Sequence, residues 1–431
     1  MDDVNRFEQF CQFRRIIRGS REHLIVGIDI AKDKHHAFFG TAYGKTLWRR
    51  LIFTNDLIGY QRLVEQTGLL LQQHQLKEVV FGLEPTGNYH KPLAHWLIQH
   101  NYLVVLVAGK AVKDNRELLD GRWDKNDTKD SANVADLVSQ GKCQFYEQPA
   151  SVFVAVRNLI VVRKQLKKEE HKLRMRIRNG LIVKYFPEMD RYWGSCLEEN
   201  LAIVRWYLDP QKIAGTDFNL FVRHVTTTDR GLRQVRRLKA IHQAAGRSVG
   251  LPVDDSAGFE ARMLVERLKQ VKDEISQTML QIEGLCRTLA GYKLLLTIPG
   301  FGPYIAPLVL ATLADPFRFT SRKQVIRLAG LDLNASRSGK KSQDSVPVIS
   351  KKGDAHLRYA LYQAALIASY HYDGFRRLFH RMLDGRQGER GIKTKARVKI
   401  AAKMLIIAWT MLKNNEPFDE TRLLAESCNV R

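Results

Sequence analysis

The most constraining stretch of the chain is LIVGIDIA (24–31), an apolar, β-branched run with a carboxylate inside it. A run of this length and composition reads as a buried strand. Asp29, held between Ile28 and Ile30, then needs a partner, because an isolated charge is costly to bury. Taken alone, it reads equally well as a strand residue facing water. The stretches that follow define its surroundings. KHHAFFGTA and KTLWRRLIF, which ends at Phe53, read as two more strands, with Gly and Asp at the turns. Residues 57–75 carry Leu and Ile at helical spacing, VVFGLE (79–84) is a fourth strand, a helix is expected around 88–99, and YLVVLVA (102–108) is a fifth strand. Helical patterns cover roughly 109–119 and 128–141. A three-strand meander followed by strand–helix alternation predicts an α/β domain of the ribonuclease-H type, with first and fourth strands as neighbours.

Beyond this domain the chain changes character. Residues 150–186 form a long helical pattern, with ten Lys/Arg against two acids from Arg157 to Lys184. Residues 190–255 are ambiguous, and Trp193, Trp206 and Tyr207 suggest packed helices. Residues 256–292 read as one long amphipathic helix, with Met263, Leu264, Leu268, Val271, Ile275, Met279 and Ile282 as a core or coiled-coil seam. Short helices around a glycine hairpin are expected over 294–330, a polar loop over 334–353, and helices over 354–381 and 390–413. The fold class is therefore α/β plus α. An N-terminal arm (1–22) precedes the α/β domain (23–148), a helical or coiled-coil region (149–292), a helical C-terminal domain (293–418) and a tail (419–431).

Charge indicates the kind of partner. The 431 residues include 69 Lys/Arg and 45 Asp/Glu, a net charge of +24, yet the charged fraction of 26% is ordinary. The excess is one of sign. It excludes a disordered polyelectrolyte and predicts a polyanionic partner, either nucleic acid or an anionic membrane surface. No run of about 18–20 apolar residues suits a transmembrane helix, and residues 1–22 lack the layout of a signal peptide. Five scattered cysteines without a CxxC pair indicate neither a disulfide framework nor a cysteine zinc site. The expectation is a cytosolic, reduced protein with no membrane partner.

Four carboxylates stand out. Asp29 lies on the first strand, Glu84 ends the fourth in FGLEPTGNY, and Asp127 and Asp130 are spaced by three in KNDTKDSANVAD. That spacing places the last two on one helical face, where N-capping is an equally good reading if they are taken alone. Converging carboxylates repel one another unless a cation neutralises them, and hard oxygen ligands favour Mg²⁺ or Mn²⁺. Two such ions about 4 Å apart stabilise attacking and leaving oxygens in phosphodiester displacement. GIDIAKDKH, LEPTGNY and KNDTKDSANVADL resemble, in order and spacing, the motifs of the DEDD insertion-sequence transposases (the IS-one-ten family). The resemblance implies a RuvC-like catalytic domain with Asp29, Glu84, Asp127 and Asp130 as catalytic, metal-holding carboxylates. Thr86, Gly87 and Tyr89 match the turn after the glutamate. Asp33, Asp124 and Asp136 match no member of the tetrad.

LLTIPGFGPYIAPLVLATL (295–313) has the form of a helix-hairpin-helix. Gly300 and Gly302 would let the backbone turn and offer amides to a nucleic-acid phosphate, although a simple turn between helices fits too. Arg318, Arg322, Lys323 and Arg327 follow it. LAGLDLNASRSGKKSQDS (328–345) and ISKKGDAHLRYALYQAA (349–365) match the family's C-terminal domain, with its AGL…SG and S-K-x-G-x-x-x-L-R motifs. The resemblance places the nucleophile at Ser338, beside Gly339, Lys340 and Lys341. Ser350 is the runner-up, with a helix N-cap as its plain alternative. Lys340, Lys351, Lys352, Arg358, Lys395 and Lys399 are the nucleic-acid contacts expected here, the last two from a basic arm (376–403) holding ten Lys/Arg and two acids. A serine hydroxyl needs a base or metal to activate it, and none is placed by local sequence.

Other matches fail. Gly44, Lys45 and Thr46 lack the earlier glycine of a P-loop, since Phe39 stands there. His35, His36, His90 and His95 have no ligand spacing and read as surface or nucleic-acid contacts. The resemblance implies a transposase that joins donor and target DNA under a non-coding bridge RNA, as dimers assembling into a tetramer. Two other functions fit the composition: a metal-dependent junction endonuclease that uses water, and a non-catalytic nucleic-acid-binding protein on an old nuclease fold.

Overall fold

The computed structural model describes residues 6–120, 127–146, 150–194, 198–226, 231–334 and 348–425. The chain forms two compact units, one of residues 1–149 with 317–320, the other of 150–316 with 321–431.

The first unit holds a six-stranded sheet built from β1 (His23–Asp29), β2 (Lys34–Thr41), β3 (Thr46–Thr54), β4 (Glu78–Leu83), β5 (Leu103–Leu106) and β6 (Gln144–Phe145), in the order β3-β2-β1-β4-β5-β6. β1, β2 and β3 form the antiparallel meander, while β1, β4 and β5 run parallel. Parallel neighbours need crossovers, supplied by α2 (Leu57–Gln73) and α3 (His90–Gln99). The alternation expected from the sequence is present, with two additions: the two-residue β6 and a helix, α1 (Arg6–Ile17).

Each face of the sheet has its own core. Leu24, Val26 and Ile28 of β1 pack with Phe39, Phe81, Leu63 and Leu93 under α2 and α3. Ile25 faces the other way and packs with Val80, Val105, Val134 and Val138 beneath α5 (Asp127–Ser139). α4 (Gly109–Asp120) adds Val112 to this second core. Phe13 and Ile17 of α1 are buried in the same layer, and Arg18 Nε–H donates to Gln140 O at 2.9 Å. The expected N-terminal arm is therefore a packed helix from Arg6 to Ile17, because two large apolar side chains one turn apart need a cover.

The second unit is mostly helical. α6 (Ser151–Arg176) packs lengthwise on α7 (Asp255–Cys286), with Arg176–Glu260 at 2.7 Å and Arg267–Glu169 at 2.8 Å beside the seam. These pairs are solvated, so the apolar seam holds the helices together. Leu264, Leu268, Val271, Ile275 and Ile282 are buried there as the spacing predicts. Met263 instead faces solvent and Thr278 is buried. The ambiguous segment 190–255 contains short helices up to Ala245, among its described residues, and Trp193 and Phe221 of these share one buried core with Phe186 and with Leu264 and Leu268 of α7. α8 (Ala290–Leu296), α9 (Ile305–Leu313), α10 (Arg322–Leu328), α11 (Ala355–His371), α12 (Asp373–Leu383) and α13 (Ile392–Asn414) follow, with a two-stranded ribbon of β7 (Leu333–Asn334) and β8 (Val348–Ile349). Among the described residues no helix is long and apolar enough to cross a membrane. Cys143 and Cys286 are buried free thiols, which burial pushes up to about 12 and about 11.

Candidate functional site

Strand register brings the first two carboxylates together. β1 and β4 are parallel with Ile28 opposite Leu83, and Glu84 N–H donates to Ile28 O at 3.4 Å. Asp29 and Glu84 therefore leave neighbouring strands at one level and on one face. Both are half-buried. That face also carries the glycine pair Gly27–Gly82, two residues earlier on each strand. A Cβ at Gly27 would stand 2.2 Å from Ser131 O, and one at Gly82 would stand 2.5 Å from Val138 Cγ2. With no side chains at these two positions, α5 lies directly on the strands, its first turns pointing to the end where Asp29 and Glu84 stand. Asp130, next to Ser131, is 1% exposed there. Asp127 begins α5, but its side chain lies outside the described residues.

Two further features shape this end of the sheet. The Glu84 carboxylate rests against the start of α4, where a Cβ on Gly109 would meet Oε1 at 2.8 Å. A helix N-terminus favours such a negative charge. The turn after Glu84 closes by Tyr89 N–H donating to Thr86 O at 3.2 Å, with Gly87 at φ +52. His36 lies directly opposite Asp29 on β2 and is half-buried. The sequence offers His36 as a surface residue or nucleic-acid contact, since only the β1–β2 register reveals its neighbour. His35, one residue earlier, is fully buried and its Nδ1 accepts the Ala31 N–H at 3.2 Å. Burial pushes its pKa below the ordinary histidine value, with the side chain of Asn55 opposing the shift. Asp136, which matches no member of the tetrad, accepts from Asn115 at 2.9 Å and from Gln140 at 2.7 Å.

Oxygen donors of this kind suit Mg²⁺ or Mn²⁺ in type. Asp29, Glu84 and Asp130 share one end of one face, which fits in placement. Among the described residues, no three such side chains are grouped as a metal-holding cluster.

In the second unit, Ser338 and Lys340 lie outside the described residues. The chain on either side of them is well fixed. Leu333 pairs with Ile349 and Asn334 with Val348, so the ribbon joins the two ends of segment 335–347. Ser350 is not an N-cap. Its hydroxyl donates to Asp332 Oδ1 at 2.5 Å, and its N–H donates to Asp332 O at 2.7 Å. The cap of α11 is Asp354, which accepts from the N–H groups of His356 and Leu357 at 2.7 and 3.1 Å. Asp332, aligned by the ribbon, outcompetes the helix end for the serine. Arg358 donates to Ala329 O at 2.8 Å, tying the two C-terminal motifs together. Lys351 and Lys352 are exposed.

The segment that carries Gly300 and Gly302 connects α8 to α9. Gly300 has φ +86, and a Cβ there would meet Ala364 O at 2.6 Å. Gly300 is thus committed to packing on α11, while Gly302 has open space where a side chain would be. A groove of about 1590 Å³ runs between α10, the ribbon and α13. Its floor includes Ile326, Ile349, Val398 and Ile406. Along it stand Lys351, Lys395 and Lys399, predicted as nucleic-acid contacts, together with Arg322, Lys323 and Arg327.

Residues 26–187 match a family described as Transposase, and residues 292–380 match the Transposase IS116/IS110/IS902 family. The chain is 27% identical to the pilin gene-inverting protein of Moraxella lacunata over 405 residues, covering 92% of this chain and 97% of that one. It is 26% identical to the pilin gene-inverting protein of Moraxella bovis, with the same coverage. The insertion element IS116 uncharacterized 44.8 kDa protein of Streptomyces clavuligerus is 24% identical, covering 92% of this chain and 96% of its own.

Proposed function

Since the chain belongs to the IS116/IS110/IS902 transposase family, we propose that it cuts and rejoins DNA by transesterification at Ser338, with a non-coding bridge RNA selecting the sites. Family membership makes it a DNA transposase or recombinase; the serine, the metal and the RNA are the steps we add. Relatives named for inverting a pilin gene support DNA rearrangement as the outcome. The observation that carries the chemistry is the pairing of Asp29 with Glu84 at one strand end, under the helix that bears Asp130.

Ser338 Oγ attacks a DNA phosphorus. A serine–phosphate ester forms, one DNA phosphoester bond breaks, the serine gives up its proton and the departing DNA hydroxyl gains one. A DNA hydroxyl from the second partner then attacks the phosphoserine, joining strands and returning the serine. One ester replaces another at each step, so no energy-rich cofactor is consumed. Asp29, Glu84, Asp127 and Asp130 would hold Mg²⁺ or Mn²⁺, which supplies charge neutralisation at the phosphate. α6, the 376–403 arm and the groove lysines Lys351, Lys395 and Lys399 hold nucleic-acid backbone. Lys340, Lys352, Gly302 and, through its backbone amide, Gly300 contribute to the same grip, and a dimer or tetramer brings the partners together.

The test is covalent trapping with junction DNA, the element's RNA and Mg²⁺. An adduct mapped to Ser338, lost in Ser338→Ala with DNA affinity retained, is expected. An adduct on Ser350 would transfer the role to that residue. Full strand cleavage by Ser338→Ala would favour a junction endonuclease that uses water at the carboxylates. Undiminished activity of an Asp29→Asn/Glu84→Gln double variant would reduce the protein to a nucleic-acid binder.

A further inference from the structure

Three helices of the second unit meet at a tyrosine–histidine pair that the chemistry above does not use. Tyr304 stands at the N-cap of α9, two residues after the open Gly302. Its hydroxyl is hydrogen-bonded to Nε2 of His356, the second residue of α11, with the ring centroids 5.8 Å apart. Arg163 of α6 lies over the tyrosine, its guanidinium carbon 3.7 Å from the ring centroid, and interacts with the hydroxyl as well. Lys164 is exposed beside it and close enough to His356 to oppose protonation of the imidazole.

The charge balance around the pair is uneven. The acid that faces both Tyr304 and His356 is Asp354, and its carboxylate already accepts two N–H groups of α11. Two cations, a hydroxyl and an imidazole thus converge with one carboxylate that is engaged elsewhere. Among the described residues, Arg163 Nε is buried without a hydrogen-bond partner. A guanidinium set over an aromatic ring still offers its terminal nitrogens to a phosphate oxygen. Packing explains the Tyr304–His356 bond but leaves two cations gathered beside a carboxylate that is already engaged.

We propose that Arg163, Lys164, Tyr304 and His356 form a binding site for one phosphodiester of a nucleic-acid backbone. The inference rests on the proposed nucleic-acid partners but not on Ser338 as nucleophile. Arg163 and Lys164 supply charge. Tyr304 supplies a neutral donor whose direction His356 controls. With His356 neutral, the tyrosine proton is directed to Nε2. With His356 protonated, Nε2–H donates to the tyrosine oxygen and the hydroxyl proton turns to the phosphate. Burial, the adjoining Lys164 and Arg163 lower the His356 pKa, and a bound phosphate offsets them, as Asp354 does in part. Binding therefore takes up a proton and tightens as pH falls.

The test uses the full chain and a fluorescent 30-base-pair DNA duplex, with an RNA duplex of the same sequence in parallel, across a salt series. Arg163→Gln and Lys164→Gln should each weaken binding about threefold to tenfold and reduce the log–log salt slope by about one. Tyr304→Phe should weaken binding with the slope unchanged. His356→Gln should abolish the gain in affinity as pH falls. A loss seen only with RNA still supports the site and assigns it to RNA. Lys164 is exposed, so its replacement does not threaten folding. Wild-type affinity and slope in Lys164→Gln and Tyr304→Phe, on both duplexes, would overturn the proposal. Ser338→Ala should bind both duplexes normally, so a failure of the nucleophile assignment is read separately, in the trapped adduct.

Discussion

Gly27 and Gly82 face each other across β1 and β4, and α5 lies in the trough they leave. Neither position is under φ strain; both are constrained by contact. A methyl group at Gly27 would meet backbone, with Ser131 O at 2.2 Å and Ala135 N at 2.5 Å, so α5 must move and carry Asp130 with it. Gly27→Ala is expected to cost about 3 kcal/mol and to abolish strand cleavage, measured by urea unfolding and by a cleavage assay at a temperature where the variant stays folded. Near-wild-type stability would mean that α5 does not rest on this trough. Asp29 and Glu84 were legible in the sequence because an acid inside or ending an apolar strand breaks the pattern around it. The His36 neighbour was not, because cross-strand pairing depends on where β2 stops and turns. Ser350 was misread for a related reason: local sequence offers a helix end, while Asp332 arrives through the ribbon.

At the scale of elements, strands and crossover helices were legible because each carries its own period. α1 was missed because FRRII and its neighbours show charge more plainly than a face. Ile17 is completely buried and Phe13 nearly so. Ile17→Ala is expected to destabilise the first unit by about 2–5 kcal/mol, read as a lowered denaturation midpoint. A shift within about 0.5 kcal/mol would show that α1 adds nothing to the stability of this unit. β2 carries a second consequence. His35 is buried as a neutral imidazole with its folded pKa below the ordinary histidine value of about 6.5, whereas the unfolded chain keeps that value. Between the two values the unfolded state binds the extra proton, so the contribution to stability is complete above about pH 6.5 and is lost as pH falls toward the folded pKa. His35→Asn retains an acceptor for the Ala31 N–H but cannot titrate. Its unfolding free energy should fall less steeply than wild type between pH 7 and pH 5. Parallel curves would show that another group governs acid sensitivity.

For the whole molecule, the +24 is divided unequally. Residues 1–149 hold 20 Lys/Arg against 18 Asp/Glu, leaving 49 against 27 for residues 150–431. The unit with the carboxylate site is thus nearly neutral overall, and almost all the surplus belongs to the helical unit. A nearly balanced sheet domain can gather acids at one end without a large repulsive background. A strongly basic unit attracts polyanions over distances of about a Debye length, roughly 10 Å at 0.1 M salt. This division predicts where salt-dependent affinity resides. Reversing two groove charges, Lys395→Glu with Lys399→Glu, should lower the log–log salt slope for duplex DNA by about two or more. It should also weaken binding steeply at low salt. Reversing two exposed cations of the first unit, Arg62→Glu with Lys91→Glu, changes the net charge equally and should leave the slope within about half a unit. The paired design separates local contact from net charge, because a partner held by net charge alone would lose affinity equally in both variants. Equal losses would therefore refute the groove as a contact surface, whatever the total charge contributes.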